Sequence, residues 1–363
     1  WKAHCAYWTS FWNRSYIHIT NAGKDSFNLD QCRYTQFPQG SLAYEGHKMI
    51  AAQKNIDQIN QKYALERFVE AAANRGEVPA PYNGSIFTMD MPAGVQGAFG
   101  PINHPVSPDG RDWAQLSFMW QNTRHPLWAM AARGDYDAMK PGLEFVRKGL
   151  ELCKDRCQKT FGHDGAFIME ASWWYNMGVW DWKDVPAHLK YHLLATVETL
   201  AIMCEYYEHT QDADFLKNTL LPCADEFLKF YELHYPKRDA SGKILMEGVG
   251  CAETYQGVTN PATETGCMKY VLAKLLSFPI NEERSNHWSA FLKAMPEVPL
   301  RTIRGLDLLA VGEKYNPGRV NCESPELYSI YPFRQVWLGK PELLATARQS
   351  IYLRTISLDG TDD

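Results

Sequence analysis

Apolar residues recur along this chain in alternating steps of four and three, and that rhythm makes helix its main material. The plainest case is Met139, Leu143, Val146, Leu150, Cys153 and Cys157. A second runs Leu189, Leu193, Val197, Leu200, Cys204 and Tyr207, and a third Phe215, Leu216, Leu220, Cys223, Phe227 and Phe230. Asp212 stands just ahead of the third as its N-cap. Pro222 lies inside that pattern and is expected to kink or restart the helix, because proline has no N–H to donate and crowds the preceding turn. Further helices are expected near 43–74, 114–133, 261–277, 286–295 and 340–353. Strand signals are sparse: 302–311 reads as a hairpin and 85–89 as a short strand.

Between the helices, 80–112, 161–186, 245–260 and 312–337 read as long loops rich in rings. Long ordered loops in a compact domain usually carry function. The expected fold is therefore all-α, a toroid of antiparallel helix pairs with a few short strands in its loops. In such a ring the long loops gather on one face and form a cleft. An irregular helical bundle is the alternative.

The 363 residues suffice for one large domain or two ordinary ones, and 45% are hydrophobic, enough for a sizeable core. Net charge is −5 with no basic stripe, which argues against nucleic acid or an anionic membrane as partner. No apolar run approaches the length of a membrane span. The nine cysteines are an odd number, so at least one lacks an intrachain partner. Cys153 and Cys157 lie on one helical stripe and are expected to pack as small hydrophobes. The chain opens at Trp1 without a signal peptide and stops at Asp363, as a piece of a longer protein would. Residues 1–40 read as an entry segment or linker, and 41–363 as the helical catalytic domain.

Rings make up 13% of the chain, many interleaved with Asn, Gln, His and Arg. Sugars have apolar C–H faces edged by hydroxyls, so flat rings beside polar donors suit them; large rings also simply fill large cores. One such cluster is Trp120-Gln121-Asn122-Thr123-Arg124-His125-Pro126-Leu127-Trp128. Polar side chains crowded between tryptophans are costly to bury without a ligand, a partner or water. Another is Glu170-Ala171-Ser172-Trp173-Trp174-Tyr175-Asn176, continuing to Trp180-Asp181-Trp182, which reads either as a sugar platform or as a hydrophobic plug. A third is Asn321-Cys322-Glu323-Ser324-Pro325-Glu326-Leu327-Tyr328, followed by Tyr331-Pro332, with two carboxylates three residues apart beside rings.

The residue that points to chemistry is Glu253. It is the only charge in Gly248-Val249-Gly250-Cys251-Ala252-Glu253-Thr254-Tyr255, between two strong helical patterns. A carboxyl among apolar and small neighbours loses solvation, which favours its neutral form. A carboxylic acid still protonated near neutral pH can hand a proton to a leaving group. The bland reading is a surface or capping glutamate. Glu264, by contrast, has a structural explanation: Asn260-Pro261 starts a helix, and a carboxylate in its first turn favours the dipole. No Gly-rich phosphate loop, serine nucleophile elbow or His/Glu metalloprotease signature occurs, so nucleotide and protease chemistry lack support.

Taken in order over roughly residues 60–355, these motifs resemble the catalytic domain of the family-95 glycoside hydrolases, the inverting α-L-fucosidases and α-L-galactosidases. Arg67-Phe68 through Arg75-Gly76 to Pro79 and Asn83-Gly84 is similar to the family's entry into its barrel. Asn122-Thr123 and Trp128 match its polar motif around the catalytic water. Tyr206-Tyr207-Glu208-His209-Thr210-Gln211-Asp212 with Phe215-Leu216 is similar to its central helix pair, and Leu327-Tyr328 with Tyr331-Pro332 to a later cleft loop. The resemblance implies an (α/α)6 toroid, incomplete here, flanked in the family by a β-sandwich and a C-terminal β-domain. It places the general acid at Glu253 and a water-orienting amide at Asn122.

There are departures. The family's first water-orienting asparagine falls on Trp120, and two histidines expected before Leu327-Tyr328 are replaced by Glu323 and Glu326. The aspartate that works with those asparagines would lie beyond Asp363, so the resemblance leaves the base outside this chain unless Glu323 takes the role. The reading that follows is an inverting hydrolase of a terminal, α-linked, L-fucose-like sugar. Catalysis falls to Glu253 and Asn122, and substrate contacts to Trp120, Gln121, Arg124, His125, Trp174, Glu323 and Tyr328. Neither metal nor organic cofactor is implied, the partner is carbohydrate, and the family implies a periplasmic or extracellular bacterial enzyme. A polysaccharide lyase using Arg124 and His125, or a non-catalytic carbohydrate-binding module, remains the alternative.

Overall fold

The computed structural model describes residues 1–17, 19, 56–79, 96–97, 100–101, 118–172, 178, 180–318, 321 and 323–356. The expected strand at 85–89 and the candidate contact Trp174 lie outside the described residues. Helix dominates. In chain order the main helices are α1 (Lys2–Arg14), α2 (Ile56–Ala73), α3 (Trp120–Arg133), α4 (Tyr136–Lys148), α5 (Leu150–Phe161), α6 (Leu194–Thr210), α7 (Leu221–His234), α8 (Ala262–Leu276), α9 (Glu282–Ala294) and α10 (Leu344–Ile356). Among the described residues no helix is long and apolar enough to cross a membrane.

The core is built on α6 and α8, which pack against each other. Residues 194–207 of α6 are all buried, as the near-continuous apolar run of that helix requires. Met139, Leu143, Cys153, Cys157, Leu200, Cys204, Leu220, Cys223 and Phe227 of the three sequence stripes all lie in one cluster of buried side chains. Cys153 and Cys157 are fully buried and pack in the apolar cluster, with no disulfide between them. Asp212 caps as expected, its carboxylate accepting from the Phe215 N–H at 3.0 Å. Pro222 restarts the helix: a π stretch over Leu216–Leu220 hands over to α7, which carries the proline in its first turn, where no N–H is needed.

Strands are short and form two-stranded sheets: β1 (Gln96–Gly97) with β2 (Gly100–Pro101), β3 (Phe118–Met119) with β4 (Ala171–Ser172), β5 (Val249–Cys251) with β6 (Tyr255–Val258), and β7 (Leu300–Ile303) with β8 (Leu306–Leu309). The last is the hairpin expected at 302–311. Arg304 and Gly305 turn it with φ of 51° and 79°, the two-residue turn whose twist suits paired strands. The β5–β6 hairpin falls inside a segment read as loop, and it carries Glu253 at its tip.

Residues 1–14, expected as part of an entry segment, form a helix held to the body. Phe11 is fully buried. Arg67, also fully buried, donates to both oxygens of Asp135 at 2.8 and 2.7 Å and to the Phe11 carbonyl at 3.0 Å. Its guanidinium lies 4.1 Å from the centre of the Phe11 ring. One cation thus ties α1 and α2 to the turn between α3 and α4.

Candidate functional site

Helix α3 has no side-chain N-cap of its own. Glu170, next to β4, supplies one from a distance: its carbonyl accepts from the Trp120 N–H at 2.8 Å and its Oε1 from the Gln121 N–H at 2.6 Å. These are two of the donors that any helix start leaves unsatisfied. The β3–β4 pairing of Phe118 with Ser172 and Met119 with Ala171 brings Glu170 there. Further along, Trp120, Arg124 and Trp128 recur every four residues and face Glu198 of α6. Trp120 Nε1 donates to one Glu198 oxygen at 2.9 Å, Trp128 Nε1 to the other at 3.0 Å, and Arg124 Nη1 lies 3.2 Å away. One buried carboxylate thus satisfies both indole N–H groups and Arg124.

Arg124 is 4% exposed. Burial works against its charge, but Glu198, Tyr328 and Glu170 outweigh that and hold it protonated above its ordinary value. Its other nitrogen, Nη2, donates to the Tyr328 hydroxyl at 2.5 Å and lies 3.5 Å from Glu323 Oε1. Both Nη nitrogens of this guanidinium are thus engaged inside the protein. Arg124 orients Glu323 and Tyr328; burial, with Glu323 and Glu198 nearby, pushes the Tyr328 hydroxyl above its usual range against the pull of Arg124.

Glu253 stands in the turn between β5 and β6, after Ala252, whose φ of 52° is uncommon for a residue with a side chain. Gly250 lets that hairpin close on the chain at Tyr191–His192. Its N–H donates to the Tyr191 carbonyl at 2.9 Å, and a Cβ there would come within 3.1 Å of the His192 nitrogen. The Glu253 residue is 8% exposed. Its N–H donates to Glu323 Oε2 at 3.0 Å, the Thr254 hydroxyl reaches the same oxygen at 3.3 Å, and Asn321 Nδ2 donates to Glu253 Oε2 at 2.9 Å. Burial pushes the Glu253 carboxyl above the usual carboxylate range. His188 pulls it down, Glu323 raises it further, and hydrogen bonds from Gln121 and Asn321 offset part of the rise.

The structure thus joins Glu253, Gln121, Arg124, Glu323, Tyr328 and Trp120 through direct contacts or one shared partner. Asn122 stands apart. One residue of helix turns the chain by about 100°, which carries Asn122 off the stripe facing Glu198. Its Oδ1 is buried with no hydrogen-bond partner among the described residues. His125 is exposed, and burial of its ring with Arg124 nearby lowers its pKa. Two roomy cavities, about 720 and 680 Å3, are lined by other residues than Glu253. The first is apolar and takes Trp120, Thr123, Leu127 and Met130 from the far side of α3.

Sequence reading passed over Glu198 and His192, and took Glu170 and Asn321 only as members of candidate motifs, with no role of their own. Glu198 carried the signal that singled out Glu253, a lone acid in the apolar run Leu194-Ala195-Thr196-Val197-Glu198-Thr199-Leu200. Glu170 Oε2 lies 3.2 Å from His192 Nδ1 in a fully buried pair. Burial pushes Glu170 well up and His192 down to about 3, so burial works against an ion pair here. Among the described residues no group of three His, Cys, Asp or Glu side chains could hold a metal.

No family model matches the chain, and no curated protein matches it. A solved structure described as "Putative kojibiose phosphorylase from human microbiome" matches at 16% identity and a TM-score of 0.42, over 56% of this chain and 29% of that one. The chain spans less than a third of that structure's length, and a likeness at this level does not define a fold or an activity for it.

Proposed function

We propose that this chain belongs to an inverting glycoside hydrolase that removes a terminal, α-linked, L-fucose-like sugar, with Glu253 as general acid on an (α/α)6 toroid. The observation that carries the reading is the state of Glu253: a buried carboxyl pushed toward its neutral form, steered by two amides, beside a second carboxylate. That is what protonating a glycosidic oxygen near neutral pH asks of a side chain. Gln121 and Asn321 hold the acid; Glu323, whose Oε2 accepts from the Glu253 N–H, is the neighbouring carboxylate of this chain and is assigned the base's role. Asn122 lies off this cluster, and its assignment to orient the attacking water rests on the resemblance to the family-95 motif, with a buried Oδ1 that has no partner among the described residues. The order of motifs shared with the family-95 glycoside hydrolases supports the sugar class and a periplasmic or extracellular setting. The closed contacts of Arg124 speak against a lyase that would use it to neutralise a uronate.

The test is Glu253→Gln in the full-length protein. The variant should fold with an unchanged circular dichroism melt and lose at least about 10²-fold in kcat on natural α-L-fucosides. A nitrophenyl glycoside, whose leaving group needs little protonation, should suffer less. The first-formed sugar of the wild type, caught by proton NMR, should have the opposite anomeric configuration to the substrate. More than about a tenth of the wild-type rate in the variant on natural substrate removes Glu253 from the acid role, since such groups contribute 10²–10⁴-fold.

A further inference from the structure

The cavity of about 680 Å3 lies between α8, α9 and the segment after Tyr331, and its lining is cationic. Lys243, Lys269, Lys274, Lys293, Arg334 and Lys340 face it against a single lining carboxylate, Glu297. Two of these cations are matched by α6: Arg334 sits on Glu205 at 3.1 and 3.2 Å, and Lys274 bonds Glu208. Three of the other four, Lys243, Lys269 and Lys340, share Glu297, and Lys293 lines the cavity beside them. Lys269 donates to Glu297 at 2.6 Å, Lys243 lies 3.8 Å away, and Lys340 is near enough to help hold it ionised. Three cations on one acid, with Lys293 beside them, leave a local positive excess in a chain whose net charge is −5.

Glu297 is itself informative. Its side chain is 79% exposed, so an incoming oxyanion can replace it among the lysines without leaving a buried charge behind. Beside the lysines stands Trp337, 52% exposed. Its ring is seated on Gly339, where a Cβ would come within 2.3 Å of Cη2, and the Trp337–Lys340 bridge closes the turn beneath it. A flat ring fixed by the backbone on one side and open on the other sits next to converging ammonium groups.

We propose that this groove binds a short saccharide bearing an oxyanion, a carboxylate or a sulfate, with the charge among Lys243, Lys269 and Lys340 and a sugar face on Trp337. The volume is that of a small-ligand site. The cations converge on one point, which suits one compact anion; a duplex would ask for a stripe matched to regularly spaced phosphates. The choice of a sugar over another organic anion leans on the carbohydrate reading of the Glu253 site, whereas the groove itself shares no lining residue with that site.

Calorimetric titration tests it, with a sulfated disaccharide, a uronate disaccharide, their neutral counterpart, inorganic sulfate and a short DNA duplex as probes. At least one charged disaccharide should bind saturably and roughly tenfold tighter than the neutral one, and which of the two binds names the anion. The double variant Lys269→Gln with Lys340→Gln should weaken that binding about tenfold, and Trp337→Ala about threefold, with melting curves confirming the fold. Glu297→Gln should tighten it, because the internal competitor is gone. Binding should be unchanged in Glu253→Gln, so failure of the hydrolase reading and failure of the groove show separately. Equal binding of the neutral disaccharide, indifference to the lysine variants, or sulfate or DNA binding as tightly as the sugars would overturn the proposal.

Discussion

Glu264 occupies the first turn of α8, a position where a carboxylate ordinarily gains from the helix dipole. The structure changes that account. The residue is fully buried, Oε2 accepts from the Thr263 hydroxyl, and Oε1 has no partner among the described residues. Burial raises its pKa to about 8, so at neutral pH it is a neutral acid with no charge to offer the dipole. The unfolded chain releases this proton near the ordinary value of 4.5, the folded chain near 8. Between those values the folded state holds the extra proton, and stability falls as pH rises, by up to about 1.4 kcal/mol per pH unit from this group. Below the lower value the contribution is whole; above the upper one it is gone. Glu264→Gln should remove this dependence. Urea unfolding at pH 5, 6.5 and 8 should show the variant gaining on the wild type as pH rises, and a constant difference would show that burial does not hold the proton. Glu253 and Glu198 make the same lesson at the site: a lone acid in an apolar stretch is legible in sequence, but its partners are not. Gln121 and Asn321 were readable as polar residues, while their contact with a residue more than sixty positions away was not.

At the scale of elements, the helices were legible because their stripes repeat over several turns. The hairpin that presents Glu253 was not: its strands are three and four residues long and interrupted by Gly250 and Gly257. What makes it a hairpin is docking, with Cys251, Tyr255, Val258 and Val311 forming their own small cluster. A similar close approach occurs at Gly165, where φ is 99° and a Cβ would meet the Phe230 nitrogen at 2.5 Å and its Cα at 2.7 Å. The neighbouring Ala166 N–H donates to the Glu226 carbonyl at 3.0 Å, so the loop after α5 is stitched directly to the α7 backbone. Gly165→Ala must push backbone from backbone and should cost more than about 2 kcal/mol. Gly162→Ala, with φ of 74° but open space around it, should cost about 1 kcal/mol. Chemical denaturation that ranks the two equally would mean α7 can shift freely.

For the whole molecule, the Arg67–Asp135 pair decides whether α1 belongs to the body. Asp135 also lies 3.3 Å from Arg133 Nε and 3.8 Å from Arg14 Nη1, so removing Arg67 leaves the Asp135 charge partly compensated, and the cost stays below the ~3–5 kcal/mol of a fully orphaned buried charge. Arg67→Met should therefore raise hydrogen exchange across Lys2–Arg14 while α6 keeps its protection. If α1 exchanges no faster, the helix is held by Phe11 and its rings instead.

The sequence by itself determined that this chain is mainly helical, where its long helices run, and that Glu253 sits in an apolar setting, because periodicity and local composition are properties of neighbours along the chain. Tertiary structure alone decided that Glu170 caps α3, that Glu198 gathers two tryptophans and an arginine, that Arg124 is closed to solvent, and that lysines from three segments gather about one exposed carboxylate. Those are contacts between residues far apart in sequence, and their energies depend on burial and distance, which no local pattern encodes.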